Sequence, residues 1–312
     1  MTESVRRGAK WCGHGGERAM VLGVAGLGRM GRAVAETLAG ADGPLLIWNR
    51  TPGREEGLTG CRTLPSPVAL ARSADIILTS LIDDSAVEAV YGGADGLLTG
   101  SVEGKLFIET STIRPETVER LAGRAAAQGA VLVDAPIAGG PSVVRAGGCI
   151  AFVGGDDAAV ARARPVLARF CRRIEHVGPG GFGTVMKLVA NLPIGVYFQA
   201  LAEALALGCH HGLDLARMLD ILTNTPGTPP ILTQKLPAIL GVAGEVPFDI
   251  AGVRKDLLAM TGAAHRVGVP TPAATAALTG FAAATAAGWG GEDFAEIIRF
   301  WNEAMSGTPP MA

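Results

Sequence analysis

Short runs of Val, Ile and Leu recur along the first half of this chain, each separated from the next by a different kind of segment. The runs are Val21–Ala25, Leu45–Trp48, Asp75–Ser80, Lys105–Glu109, Val131–Asp134 and Cys149–Val153. Between them, stretches such as Arg29–Ala39, Pro115–Gln128 and Asp157–Phe170 repeat apolar residues at helical spacing. Continuous apolar strands alternating with helices require a sheet covered on both faces. That predicts a mostly parallel, doubly wound α/β domain. Such sheets take their ligands at the carboxyl ends of the strands, so the loops after these runs are where chemistry is expected.

The pattern changes after Gly178-Pro179-Gly180-Gly181. A long helical run from about Thr184 to Cys209 is followed by Leu213–Leu222, Ile231–Leu240, Val253–Val267, Ala273–Ala287 and Glu292–Met305. No further strand is expected. The predicted organisation is a nucleotide-type α/β domain over 20–182 and an all-helical domain over 183–312, joined by the long helix. Pro193 removes a backbone donor inside that helix and is expected to kink it. Residues 1–19, with Gly8, Gly13, Gly15 and Gly16 and no apolar stretch after Arg6 and Arg7, read as a disordered tail and not a signal peptide. Leu188–Cys209 is interrupted by Asn191, Pro193, Gln199 and Glu203, which suits a buried helix better than a membrane span.

Composition narrows the class further. At 312 residues there is room for about two domains, and 48% hydrophobic against 18% charged residues describes a packed chain. Lys and Arg number 27 against 29 Asp and Glu, a net charge of −2 with no block of like sign. That argues against nucleic-acid or membrane-surface binding by bulk electrostatics. The five cysteines (Cys12, Cys61, Cys149, Cys171, Cys209) are scattered with no C-x-x-C, which fits free thiols in a reducing cytoplasm. His14, His176, His210, His211 and His265 show no metal-ligand spacing, and no metal site is expected.

Gly26-Leu27-Gly28-Arg29-Met30-Gly31 is a G-x-G-x-x-G directly between a predicted strand and a predicted helix. Gly26 suits the tight turn, Gly28 the approach of a pyrophosphate, and Gly31 the packing of helix on strand. Free N–H groups and the helix dipole then favour the phosphates of a dinucleotide. The same glycines also suit a tight turn that binds nothing. About 20 residues further on, where an NAD site places an acidic residue, the chain has Asn49-Arg50-Thr51. A neutral Asn, an Arg able to clamp a phosphate and a hydroxyl predict NADP(H) over NAD(H). A solvated Arg at a strand end is the plain alternative.

Further along, Lys187 and Asn191 stand four apart and share one helix face. A Lys among Val185, Met186, Leu188 and Val189 is costly without a partner or a task, and Lys255 is a candidate second cation. A Lys whose stem lies on the core while its ammonium reaches water fits the same pattern. Asp134-Ala135-Pro136-Ile137-Ala138-Gly139-Gly140-Pro141 ends a strand, and Gly139 and Gly140 offer bare N–H groups to a substrate oxygen. An ordinary turn would look alike. In Glu109-Thr110-Ser111-Thr112-Ile113-Arg114-Pro115, hydroxyls meet a helix start; Ser111 is a candidate substrate contact, with capping as the simpler role.

Taken together these motifs resemble the β-hydroxyacid dehydrogenase family, which includes 3-hydroxyisobutyrate dehydrogenases and glyoxylate/succinic semialdehyde reductases. The likeness runs from about Met20 to near Trp301 with the motifs in family order, including Phe248 through Lys255-Asp256-Leu257. The resemblance implies a Rossmann domain followed by an all-α domain that forms dimers or tetramers. It implies Lys187 as the acid/base, Asn191 beside it, and Gly139, Gly140 and Phe248 at a small-molecule substrate. Leu81, Ile82 and Thr112 would line the nicotinamide, with Lys255 over the cofactor. The implied reaction is hydride exchange between NADP(H) and a small β-hydroxy acid or its semialdehyde.

Three positions depart from the family pattern. Ala138 stands where Ser or Thr is usual, Glu109 where Asp is common, and Pro193 follows Asn191 closely. The first puts the hydroxy-acid substrate in question and leaves an imine reductase of the same superfamily as a rival. Lys187 counts against that rival, whose members usually carry Asp or Tyr there. A catalytically silent scaffold is the alternative of another class, and the retained Lys187 counts against it too.

Overall fold

The computed structural model of the chain describes residues 20–40 and 43–305. The tail expected over 1–19, with Cys12 and His14, lies outside the described residues. Residue contacts divide the chain into one unit that ends at Lys187 and another that begins at Leu188.

The first unit runs β1 (Leu22–Ala25), α1 (Arg29–Leu38), β2 (Leu45–Trp48), β3 (Cys61–Thr63), α2 (Pro67–Ser73), β4 (Ile76–Thr79) and α3 (Asp84–Gly92). It continues through β5 (Leu106–Glu109), α4 (Pro115–Ala126), β6 (Val131–Asp134), β7 (Ile137–Ala138), α5 (Pro141–Arg145), β8 (Cys149–Gly154), α6 (Asp157–Leu167) and β9 (Cys171–Gly178). The first turns of α7 (Phe182–His210) close it.

Six strands pair in parallel in the order β3-β2-β1-β4-β5-β6, with Val24 level with Ile47 on one side and Leu78 on the other. β8 joins antiparallel to β6, β7 antiparallel to β8, and β9 parallel to β8. Side chains alternate across the sheet. Val24, Ile47, Leu78, Ile108 and Val133 enter one apolar cluster with α1 and α6. Ala25, Leu46, Ile77, Phe107 and Leu132 enter another with α2, α3 and α4. Burial on both faces is why β1, β2, β4, β5 and β6 are built on consecutive apolar residues, with Thr79, Glu109 and Asp134 at the carboxyl ends of the last three, each large apolar side chain contributing about 1.5–3 kcal/mol.

The expected parallel α/β class is met, with three strands that the sequence pattern does not announce. β3 is three residues long with Arg62 and Thr63 exposed. β7 is a two-residue piece on β8. β9 pairs on one side only and reads Cys-Arg-Arg-Ile-Glu-His-Val-Gly. Edge strands lack the apolar run that burial on both faces imposes.

The second unit contains the rest of α7, then α8 (Leu215–Thr223), α9 (Ile231–Ile239), α10 (Ile250–Arg266), α11 (Pro272–Ala286) and α12 (Ile297–Met305). α10 starts ahead of the expected Val253 because the Asp249 carboxylate accepts the Gly252 N–H at 2.7 Å and caps it. The single last helix expected from Glu292 is instead one short turn, Phe294–Glu296, followed by α12, with Asp249 and Asp293 forming an isolated antiparallel bridge. Phe198, Leu205, Leu257, Phe281 and Ile298 are buried at the centre of this unit. α7 passes through Pro193 without ending, and it is long and apolar enough to cross a membrane, though 44% of its apolar window is buried in the protein.

Candidate active site

The strand order reverses between β1 and β4, the place where open α/β sheets receive a ligand. Gly26 follows β1 with φ +97°, a conformation that glycine tolerates, and a Cβ there would run into the Ser80 carbonyl. Its N–H donates to Trp48 O at 2.9 Å. A Cβ on Gly31 would run into the Gly26 carbonyl, so this glycine lets α1 sit on the turn. Gly28 differs: a Cβ there meets nothing within 4 Å. Gly28 is also the N-cap of α1 and gives it no side-chain hydrogen bond, whereas Ser66, Asp83 and Asp156 cap α2, α3 and α6. The start of α1 thus keeps an open approach at Gly28 and carries no side-chain cap. That cradle fits a dinucleotide pyrophosphate. Leu27 is buried and Met30 packs on the apolar cluster, which leaves only their backbones facing the approach. Arg29 begins α1 and is exposed.

Asn49, read as part of the ribose reader, braces the loop. Its Oδ1 accepts the Leu27 N–H at 2.8 Å and its Nδ2 donates to Thr51 O at 2.7 Å. Arg50 and Thr51 beside it are exposed. A residue without a sequence signal supports the segment that follows: Arg32 on α1 donates to Arg54 O at 2.6 Å and Glu56 O at 2.8 Å.

The other half of the crevice is built by the loops after β4 and β5. Ile82 is 67% exposed and Leu81 packs on the apolar cluster below it. Ser111 is buried, and its Oγ accepts the Leu81 N–H at 2.8 Å. It therefore ties two loops together, a role distinct from the substrate contact expected of it. Thr112 lies next to it and is half-buried. Under both loops, Glu109 accepts the Thr79 hydroxyl at 2.7 Å on one oxygen and the Ser111 N–H at 2.7 Å on the other. Burial pushes the Glu109 carboxyl above its usual range, while hydrogen bonds from Ser111, Thr79 and Tyr91 pull it back. On the outside, Asp84 accepts the Arg114 N–H at 3.1 Å and the Thr117 hydroxyl at 2.6 Å, tying α3 to α4.

The remaining first-unit residues gather around the start of α7. Asp134 ends β6 fully buried, its two oxygens accepting the N–H groups of Gly181 at 2.7 Å and Thr184 at 2.6 Å. Burial raises its carboxyl and these N–H groups lower it again. Gly154 and Gly183 let the helix start sit directly on the sheet, since a Cβ on Gly154 would lie 2.9 Å from Gly183 N. One turn on, Lys187 is 9% exposed. Its charge acts on the Cys149 thiol, which burial pushes up to about 11. Cys149 in turn lies under Gly139, where φ is +134° and a Cβ would come within 2.8 Å of Sγ. The charge of Lys187 thus reaches a cysteine beneath the Gly139 turn that the sequence did not single out. Ala138 pairs with Ile150 in the β7–β8 ladder, and Gly140 opens α5.

In the second unit, the Asn191 Nδ2 donates to Asp256 Oδ2 at 2.8 Å, and Lys255 Nζ stands 3.0 Å from Asp256 Oδ1. Asp256 is buried. With its amide nitrogen held, Asn191 has its oxygen as the remaining polar atom. Phe248, expected at the substrate, packs 5.7 Å from Phe294 within the aromatic part of the helical core.

Residues 21–178 match the NAD binding domain of 6-phosphogluconate dehydrogenase, and 181–301 match the NAD-binding domain of NADP-dependent 3-hydroxyisobutyrate dehydrogenase. The chain is 36% identical to the 3-hydroxyisobutyrate dehydrogenase of Pseudomonas aeruginosa, over 79% of this chain and 86% of that protein. Among solved structures it is similar to Psf3 in complex with NADP+ and 2-OPP, with TM-score 0.79 and 29% identity over 90% of this chain and 99% of that one. An imine reductase from a Pseudomonas species, at 22% identity and TM-score 0.58 over 90% of this chain and 99% of that one, shares the fold alone. With a glycine cradle at the switch point of a Rossmann sheet and an all-helical second unit, the chain belongs to the NAD(P)-dependent β-hydroxyacid dehydrogenase family.

Proposed function

We propose that the protein interconverts a small β-hydroxy acid and its semialdehyde or keto form, using NADP(H), with Lys187 as acid/base. The observation that carries this is the buried Lys187, whose charge reaches the Cys149 thiol beneath the Gly139 turn. A lysine kept from water and set beside a loop of bare N–H groups can handle a proton at an oxygen that the loop holds. The dinucleotide, when bound, supplies or accepts hydride at its nicotinamide C4.

In reduction Lys187 donates a proton to the developing alkoxide; in oxidation it takes the hydroxyl proton. Asn191, its nitrogen held by Asp256, offers its oxygen as an acceptor for a hydroxyl or ammonium proton. The N–H groups of Gly139 and Gly140 take the substrate's acid oxygens. NADP(H) preference is supported by Arg50 and Thr51 being exposed beside a neutral Asn49, where a carboxylate would repel a 2′-phosphate. A homo-oligomer built through the helical unit and a cytoplasmic location complete the proposal.

Ala138 favours one rival, since a cyclic imine needs no hydroxyl clamp on a carboxylate. The test is consumption of NADPH and of NADH by purified protein with glyoxylate, succinic semialdehyde, tartronate semialdehyde, methylmalonate semialdehyde and a cyclic imine. Turnover of a semialdehyde acid with higher kcat/KM for NADPH supports the proposal. Turnover of the imine alone overturns the substrate assignment, and a preference for NADH overturns the cofactor assignment.

A further inference from the structure

Glu109 is a buried carboxyl group that the proposed chemistry does not use. Thr79, Tyr91, Glu109 and Ser111 are all buried. Thr79 has a single hydroxyl proton, and it goes to Glu109 Oε2 at 2.7 Å. The contact between Thr79 Oγ1 and Tyr91 Oη at 3.0 Å must then use the phenol proton. Burial and the nearby Glu109 hold that phenol well above its ordinary value, so the proton is there to donate. On the other side the Ser111 N–H donates to Glu109 Oε1 at 2.7 Å, and the Ser111 hydroxyl accepts the Leu81 N–H at 2.8 Å. Thr110 closes the same seam, its hydroxyl donating to Thr79 O at 2.7 Å.

Thr79 and Ser111 thus each meet one oxygen of Glu109. The two ends of this hydrogen-bond chain are Leu81 and Ser111, residues of the loops that leave β4 and β5. Those strands belong to the β4-β5-β6 half of the sheet, and β1-β2-β3 is the half that carries the glycine cradle. In a doubly wound dinucleotide fold each half receives one mononucleotide, and the cradle half takes the adenosine side.

We infer that Glu109 is a positioning residue for the nicotinamide half of the cofactor, holding the Leu81–Ile82 and Ser111–Thr112 loops at one fixed spacing through Thr79 and Ser111. This rests on the family's dinucleotide binding. It adds a residue that touches no ligand, and a reason for a Glu at this place: one carboxyl group serves donors from two adjacent strands at once. Glu109→Gln keeps the size but swaps one acceptor oxygen for an NH2 group. Turned toward the Ser111 N–H, that group meets donor against donor; turned toward Thr79, it takes away the acceptor that the hydroxyl proton uses and reverses that bond, so the knot is remade on one side.

The experiment measures affinity by calorimetry for two ligand pairs. One is NADP+ with 2′-phospho-ADP-ribose, which lacks the nicotinamide; the other is NAD+ with ADP-ribose. For Glu109→Gln the expected result is about a tenfold loss for the whole dinucleotide and less than about a twofold change for its fragment. Ser111→Ala, which cuts the same chain nearer the loops, should give the same pattern if Glu109→Gln proves too unstable to isolate. The double variant should lose less than the product of the two single effects. Equal losses for dinucleotide and fragment, no loss for either, or full additivity would each overturn the inference. A wrong cofactor preference would change which pair binds and leave the ratio alone. Failure of the wild type to bind either pair would overturn the dinucleotide assignment together with this inference.

Discussion

The glycines of the first loop do different jobs, and single substitutions separate them. Gly31 supports the Gly26 carbonyl directly, so Gly31→Ala forces backbone apart and should cost about 1–3 kcal/mol of stability. Gly28 has open space where its Cβ would go. Gly28→Ala should therefore change stability by no more than about 1 kcal/mol while weakening dinucleotide binding by about tenfold or more. Thermal unfolding and a binding titration on both variants check this, and an equal loss of binding and stability in Gly28→Ala would contradict it. Asp256 gives a second test. Its carboxylate serves the Asn191 amide and the Lys255 ammonium together. An amide in its place turns an NH2 toward one of them whichever way it lies. Asp256→Asn should lower kcat by about tenfold or more, and a kcat within twofold of wild type would remove Asp256 from the site.

Helix ends rather than helix faces position the chemistry of the first unit. Asp134 reaches from the end of β6 to the first turn of α7, where a carboxylate and two N–H groups make charge-assisted hydrogen bonds. Asp134→Asn faces an NH2 group toward one of those donors and should cost about 1–3 kcal/mol. Because Lys187 lies one turn further on, kcat should fall in the same variant at temperatures where it is fully folded. Asp84 acts between α3 and α4 and carries a pH signature. Burial alone would raise its carboxyl, but bonds from Thr117 and Arg114 together with the Arg114 charge outweigh that and hold it below its ordinary value. A lowered folded-state value means stability that is present above the unfolded value and lost as pH falls through the folded one. Asp84→Asn should therefore be less stable than wild type at pH 7, and the difference should vanish in strong acid. Acid titrations of unfolding free energy for both proteins measure it. Glu109 and Asp134, both raised, have the opposite sign: each favours the folded state more below its folded value than above.

At the scale of the molecule, what could be read from the sequence follows from what burial writes into it. Five of the six parallel strands are built on consecutive apolar residues because both faces are covered, and the glycine cradle needs a residue type that stands out by itself. β3 and β9 escaped because a strand at an edge keeps its polar residues, and β7 because two residues carry no period. The side-chain partners escaped for a different reason. Asn49 and Ser111 were visible as polar residues at strand ends, but their bonds to Leu27 and Leu81 join segments 22 and 30 residues apart. Cys149, Asp134, Glu109 and Asp256 matter through such long-range neighbours, which spacing along one chain does not encode. At Phe248 a place in a motif suggested a ligand contact, and its half-buried ring also packs against Phe294, a neighbour 46 residues away that the motif does not encode.

The central claim is that Lys187 handles the proton while the sheet holds the dinucleotide. It is tested most directly by comparing wild type with Lys187→Ala for kcat/KM on the best semialdehyde acid and for dinucleotide affinity. The account predicts a fall of about a hundred- to ten-thousand-fold in kcat/KM, with dinucleotide affinity within about threefold of wild type. A folded Lys187→Ala protein that keeps kcat/KM within about tenfold would contradict it, and the proton would have to come from another group.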